Sequence, residues 1–285
     1  MIMTAGYILY PLVALVAWAG AANVLNRILN PPIRAGGAAS TSGRREVDRG
    51  LVGMFVAMVG LAMTFTLSTP FIWLQVDRIL HVPNIATLIS QMFVLVYTAG
   101  QEVMLLYWLY PLEKKARRHV RIRVIALSLI VPVMAVLFLA AGTEARRVED
   151  FVAHYAGLPA VSLYLSLYLA GFAAGQLDVL RLATKKYAPI CSDKALRRGL
   201  RTVSAGAVLG LVYVAARAAD IAAGAFGWNP YAWELAAQLS AGIGAILVIV
   251  GLNLPGWASA ATLCVGISSC VRCGTWSRTT QEAAH

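Results

Sequence analysis

Seven long apolar segments divide this chain, and shorter polar segments separate them. The apolar segments cover residues 5–25, 50–73, 85–110, 124–142, 158–180, 203–226 and 234–254. Each has about the 20 residues that an α-helix needs to cross the hydrocarbon layer, where every backbone N–H and C=O must be bonded within the segment. The pattern predicts an all-α fold, a bundle of seven transmembrane helices.

Composition agrees with this prediction. Hydrophobic residues make up 59% of the 285-residue chain and charged residues 13%, whereas a soluble domain carries about 25% charged residues. Residues 1–26 contain no charge and run too long for the short apolar core of a signal peptide. They are therefore predicted to form the first membrane span, not a cleaved leader.

Lys and Arg are distributed unequally between the two sets of loops. Twenty of them lie in the first, third and fifth loops and in the tail, against three in the even-numbered loops. Because basic loops stay in the cytosol, the N-terminus is predicted outside the cell and the C-terminus in the cytosol of a plasma-membrane protein. Anionic lipid headgroups are then the expected partners of the basic loops, and the net charge of +11 needs no nucleic acid to explain it.

The predicted domain organisation is simple. Residues 1–257 form the membrane domain, with a flexible cytosolic loop at 28–49, and residues 258–285 form a short, poorly ordered cytosolic tail. Cys270 and Cys273 would need two further ligands for a tetrahedral zinc site, and only Cys264 and His285 are near, so no metal and no cofactor are expected. The chain has no metalloprotease, serine-hydrolase or nucleotide-binding motif, so it is predicted not to be an enzyme and to have no catalytic residues.

Ionisable residues at membrane depth are the candidates for a substrate or ion pathway, because each is costly there unless it is paired or hydrated. Glu102 lies in the third apolar segment and Asp178 near the end of the fifth. Glu102 is either a packed carboxyl or a substrate or proton site. Asp178 is either part of the pathway or a solvated residue at the membrane boundary.

The sixth apolar segment carries a second group of candidates. Arg217 and Asp220 are three residues apart and can pair on one helix face, and Tyr213 lies on the same stripe. One interpretation is an ion pair within the helix that lowers the free-energy cost of inserting this helix into the membrane. The other is that Arg217 points into an outer vestibule formed with Asp77, Arg78 and Glu234.

Two pairs of glycines have the spacing that lets membrane helices approach closely. They are Gly171/Gly175 and Gly206/Gly210. These pairs are expected to support packing within the bundle, and an oligomer through either pair is the alternative. Pro70 and Pro132 are expected to kink their helices.

Several short motifs resemble a family of actinobacterial seven-helix integral membrane proteins of unknown function, described as transporters or membrane regulators. These motifs are Asp77-Arg78, Pro83-Asn84-Ile85-Ala86, the run from Leu196 to Arg201, and Leu254-Pro255-Gly256-Trp257. The resemblance covers about residues 50–257. It implies a seven-helix domain followed by a cytosolic region that acts with regulatory partners, and it implies no catalytic residue. Because the segment after Trp257 is short, this C-terminal region is expected to be truncated.

Two functions remain open at this point. The first is transport of a small solute across the plasma membrane. The alternative is a membrane sensor or regulator that signals to a cytosolic regulatory protein through the basic loops.

Overall fold

A computed structural model describes residues 3–30, 48–109, 113–143, 151–187, 194–229 and 233–254. These residues form helices and short connections without any β-strand. The helices are α1 (Met3–Leu29), α2 (Arg49–Ser68), α3 (Pro70–Leu80), α4 (Ile85–Leu109), α5 (Glu113–Ala140), α6 (Phe151–Tyr155), α7 (Pro159–Leu180), α8 (Lys194–Phe226) and α9 (Glu234–Leu254). A π-helical segment, Arg181–Tyr187, continues α7.

Seven of these helices are long and apolar enough to cross a membrane, namely all except α3 and α6. The chain is therefore a multi-pass membrane protein, and the prediction of seven spans is confirmed. Apolar side chains on the outside of the bundle agree with contact to lipid: Leu129, Val136 and Leu139 on α5 are each more than 60% exposed. The sidedness of the termini stays a prediction. Most of loop 28–49 and the whole tail 258–285 lie outside the described residues.

The prediction of one continuous second span over residues 50–73 is wrong. Helix α2 ends at Ser68, and α3 begins at Pro70 after Thr69, whose backbone is extended (φ −69°, ψ 123°). The proline ring disfavours helical backbone at the preceding residue but suits the first position of a new helix. Pro70 therefore separates two helices instead of kinking one.

Helices α2 and α4 approach each other closely at glycine residues. A Cβ atom at Gly100 would lie 2.5 Å from the backbone nitrogen of Ala57, and one at Gly60 would lie 2.7 Å from that of Tyr97. A side chain at either position would force the two backbones apart. Glycine therefore fixes how α2 and α4 face each other.

The two glycine pairs identified in the sequence also lie against helices of the same chain. Gly206 faces Val248 on α9, and Gly175 faces Thr98 on α4. Their pair members contact neighbouring side chains of α4, α5 and α7. All four positions thus serve packing within the bundle.

Antiparallel packing of the spans gathers their ends into two groups. We call the group that includes the end of α4 and the start of α5 the basic end, because most described Lys and Arg residues lie there. We call the group that includes the end of α8 and the start of α9 the opposite end.

Candidate functional site

A cavity of about 690 Å³ lies between the helices. Side chains from α1, α2, α3, α4, α6, α7, α8 and α9 line it. Its volume falls within the range of about 300–1,000 Å³ that is typical of small-molecule sites, which combine apolar walls with a few placed polar groups. The polar lining includes Thr64, Ser68, Thr87, Ser90, Gln91, Gln176, Arg217, Glu234, Gln238 and Ser240.

Aromatic rings form much of the wall of this cavity. Tyr168 and Phe172 on α7 are stacked with their ring centres 6.3 Å apart, and Phe172 meets Tyr213 of α8 edge to face at 6.1 Å. Tyr10 of α1 and Phe65 of α2 make an edge-to-face contact with ring centres 5.7 Å apart. All five residues line the cavity. Such rings offer broad apolar faces together with hydroxyl groups that can form hydrogen bonds.

The Arg217 cluster, which consists of Arg217, Asp220 and Glu234, lies at the opposite end. Nη1 of Arg217 donates to Oδ2 of Asp220 at 3.0 Å and to Oε2 of Glu234 at 2.5 Å. Its Nη2 donates to Oε1 of Glu234 at 3.0 Å. Glu234 thus receives a two-pronged contact, the strongest geometry that a guanidinium can offer a carboxylate. The structure therefore brings Arg217 into contact with a second helix as well as with Asp220.

The cluster is deeply buried and its charges do not balance. The Asp220 side chain is fully buried, and those of Glu234 and Arg217 are 9% and 13% exposed. Two carboxylates face one guanidinium, so the cluster carries a formal excess of one negative charge. Oδ1 of Asp220 and Nε of Arg217 are buried and have no hydrogen-bond partner among the described residues.

Tyr213 lies beside this cluster, as its place on the same helical stripe predicted. The guanidinium carbon of Arg217 lies 5.8 Å from the centre of the Tyr213 ring. Gln238, four residues after Glu234, donates from Nε2 to Oε1 of Glu234 at 3.2 Å. Gln238 was not among the predicted site residues. Its position four residues after Glu234 could have predicted this contact, because residues four apart on a helix are neighbours.

Asp77 and Arg78 were predicted for the same vestibule, and the structure places them elsewhere. The buried Asp77 carboxylate accepts hydrogen bonds from the backbone N–H of Asn84 at 2.7 Å, from that of Ala86 at 3.1 Å and from the Trp73 indole at 3.2 Å. It fixes the connection between α3 and α4. Arg78 is exposed. Neither residue lines the cavity, because α3 turns one towards its own loop and the other outward.

A second ion-pair cluster lies at the basic end, where Arg123 of α5 joins two other helices. Its Nε lies 2.9 Å from Oε2 of Glu102 on α4, and its Nη2 donates to Oδ2 of Asp178 on α7 at 2.6 Å. Asp178 is therefore paired and not only solvated, although its side chain is 31% exposed. We call this group the Arg123 bridge. In the sequence, Arg123 is one of the basic residues of the third loop, and its position alone does not show which helix its side chain meets.

Buried amides lie between the cavity and the Arg123 bridge. Gln176 lines the cavity, and its Nε2 donates to Oε1 of Gln101 at 3.4 Å. Both side chains are almost completely buried. Glu102 follows Gln101 directly in α4. The polar groups therefore continue from the cavity floor to the basic end of the bundle.

Comparisons with protein families, with curated proteins and with solved structures gave no match to this chain. The resemblance to actinobacterial membrane proteins stays a prediction.

Proposed function

We propose that this multi-pass membrane protein transports a small solute through its central cavity. The observation that carries the proposal is a cavity of ligand size whose lining includes the Arg217–Glu234 ion pair within the membrane spans. Charged side chains at membrane depth are costly, and those that face a cavity usually mark a substrate or ion pathway.

The Arg123 bridge supplies the second requirement of a transporter, a closure that can open. It ties α5 to α4 and α7 below the cavity floor, so a solute that leaves towards the basic end must separate these helices. The side chains of Arg123 and Asp178 are 25% and 31% exposed, and partly exposed ion pairs contribute little net stability. The Arg123–Asp178 contact can therefore break and re-form during alternation between two states of similar free energy, while Glu102, which is 5% exposed, is the buried partner in the bridge.

Orientation and localisation belong to the same proposal. The excess of Lys and Arg at the basic end favours the cytosolic side of the plasma membrane for that end, with anionic lipid headgroups around it. The Arg217 cluster would then face the outside. A sensor that binds the same solute and signals to a cytosolic partner is the alternative function.

Transport can be tested on the full chain reconstituted in liposomes. The assay is uptake of a radiolabelled panel of amino acids, organic amines, organic acids and sugars. We expect uptake of one solute class, and we expect Ala241→Trp to reduce it at least tenfold because residue 241 lines the cavity. Ile243→Trp is the matched control on α9, since Ile243 is 47% exposed on the bundle surface. Absence of flux for every solute would overturn transport, and saturable binding without flux would favour the sensor.

A further inference from the structure

We propose that the cavity selects organic ammonium ions, molecules with a protonated amine on a mainly apolar body. This assignment rests on the proposed role of the cavity as a ligand site. It names the chemistry of the ligand, which the size of the cavity alone does not define.

Charge is the first reason. The Arg217 cluster has one carboxylate more than its guanidinium can neutralise. Both Nη atoms of Arg217 already donate to carboxylates. An anionic ligand could reach the Nη atoms only by displacing Glu234, which lines the cavity, and it would add to the negative charge of the cluster. A cation instead compensates the excess negative charge, which is unfavourable in a buried site of low dielectric constant.

Hydrogen bonding is the second reason. Gln238 lines the cavity, and its Nε2 is engaged by Glu234. That contact identifies Oε1 as the remaining acceptor, and this buried atom has no donor among the described residues. Thr87 also lines the cavity, and its buried hydroxyl oxygen likewise has no partner there. A buried acceptor without a donor is unfavourable, and an ammonium N–H supplies one.

The wall of the cavity is the third reason. Tyr168, Phe172 and Tyr213 from α7 and α8 line the cavity together with Tyr10 and Phe65 from α1 and α2. Ring faces attract cations through their quadrupole, and more strongly where water is excluded. The same faces accommodate an apolar body. The cavity thus combines an acidic cluster, a free acceptor and aromatic walls, which together fit an amphiphilic amine.

A matched set of three probes tests this selection on the purified full chain in lipid nanodiscs. The probes are 4-phenylbutylamine, 4-phenylbutanol and 4-phenylbutyrate, which share one apolar body and differ in charge. Isothermal titration should give the amine a Kd at least tenfold lower than the alcohol, with the carboxylate weakest. Asp220→Asn should reduce the preference for the amine at least threefold. Asp48→Asn, the same chemical change at the start of α2, should leave the preference unchanged.

Three binding results would overturn the assignment of the ligand as an organic ammonium ion. Equal binding of amine and alcohol would exclude selection by charge. Tightest binding of the carboxylate would show that the cavity selects anions instead of cations. Absence of binding for all three probes would also reject it. If Asp220→Asn does not fold, Gln238→Leu should still weaken amine binding severalfold. Amine binding without flux in the liposome assay would leave this assignment intact and remove the transport proposal, so the two can fail separately.

Discussion

The Arg217 cluster should respond unequally to loss of its two carboxylates. Glu234 holds the guanidinium through two oxygens, at 2.5 and 3.0 Å, and belongs to a different helix. Asp220 makes one contact at 3.0 Å, and its other oxygen has no partner among the described residues. We therefore compare Glu234→Gln with Asp220→Asn, two substitutions that each remove one negative charge and preserve side-chain size.

The expected change in the free energy of unfolding depends on which buried charges remain in each variant. Breaking a buried ion pair by removing one partner costs about 3–5 kcal/mol. Because Asp220 still compensates Arg217, we expect Glu234→Gln to lower the free energy of unfolding by about 2–3 kcal/mol, less than the full cost of an unpaired buried charge. For Asp220→Asn, the loss of one charge-assisted hydrogen bond is offset by removal of an uncompensated buried charge. We expect a change within about 1 kcal/mol.

Thermal unfolding of the purified variants in nanodiscs, without added ligand, measures the difference. Arg78→Gln serves as a control for loss of a charge at the same end, because Arg78 is exposed. A triple leucine variant at positions 217, 220 and 234 should recover most of the stability lost in Glu234→Gln, since apolar groups often replace a buried ion pair without loss. Equal destabilisation by Glu234→Gln and Asp220→Asn would refute the reasoning, as would a neutral Glu234→Gln.

Three further predictions concern the closure, the α3–α4 connection and the orientation. The variant Gln101→Cys should react faster with a water-soluble thiol reagent when Arg123→Gln is added, because Arg123 forms the bridge. Arg121→Gln is the control, since Arg121 is exposed, and it should leave the rate unchanged. Equal rates for the two variants would argue against a closure at the Arg123 bridge. Asp77→Ala should lower the free energy of unfolding by about 2–4 kcal/mol, because two buried backbone amides lose their acceptor. Asp77→Asn keeps one acceptor oxygen, so it should lower the free energy of unfolding by less. In a variant without native cysteines, Lys194→Cys should be labelled only after the cells are permeabilised if the basic end is cytosolic. Labelling of this residue in intact cells would reverse the predicted orientation.

The broad architecture was predictable from the sequence because it depends on local properties of the chain. An apolar run of about 20 residues must become a helix in lipid, since no other backbone structure bonds all its polar groups within one segment. All seven spans follow from this rule. The break at Thr69 could also have been found, because a residue before proline avoids helical backbone. Segment length and hydropathy alone do not show this break, because apolar residues lie on both sides of Thr69.

The site was predictable only in part. Arg217, Asp220 and Tyr213 lie on one stripe of one helix, so spacing alone brings them together. Glu234 begins the next helix after a short connection, and the structure places it against the same guanidinium. By contrast, Asp77 looked like a vestibule residue from its position along the chain, yet its carboxylate turns towards the amides of the following loop.

Tertiary structure decided which groups meet across helices. Arg123 reaches both Glu102 and Asp178 because α5 packs against α4 and α7 with one particular rotation. Hydropathy does not define that rotation, since each span is apolar over most of its circumference. It depends on close contacts such as Gly100 against Ala57, where the absence of a side chain lets two backbones touch. The sequence by itself determined how many helices cross the membrane and where their charges lie along the chain. Only the packed bundle determined the cavity and the partners of its charges, because both depend on the distances between segments that are remote in sequence.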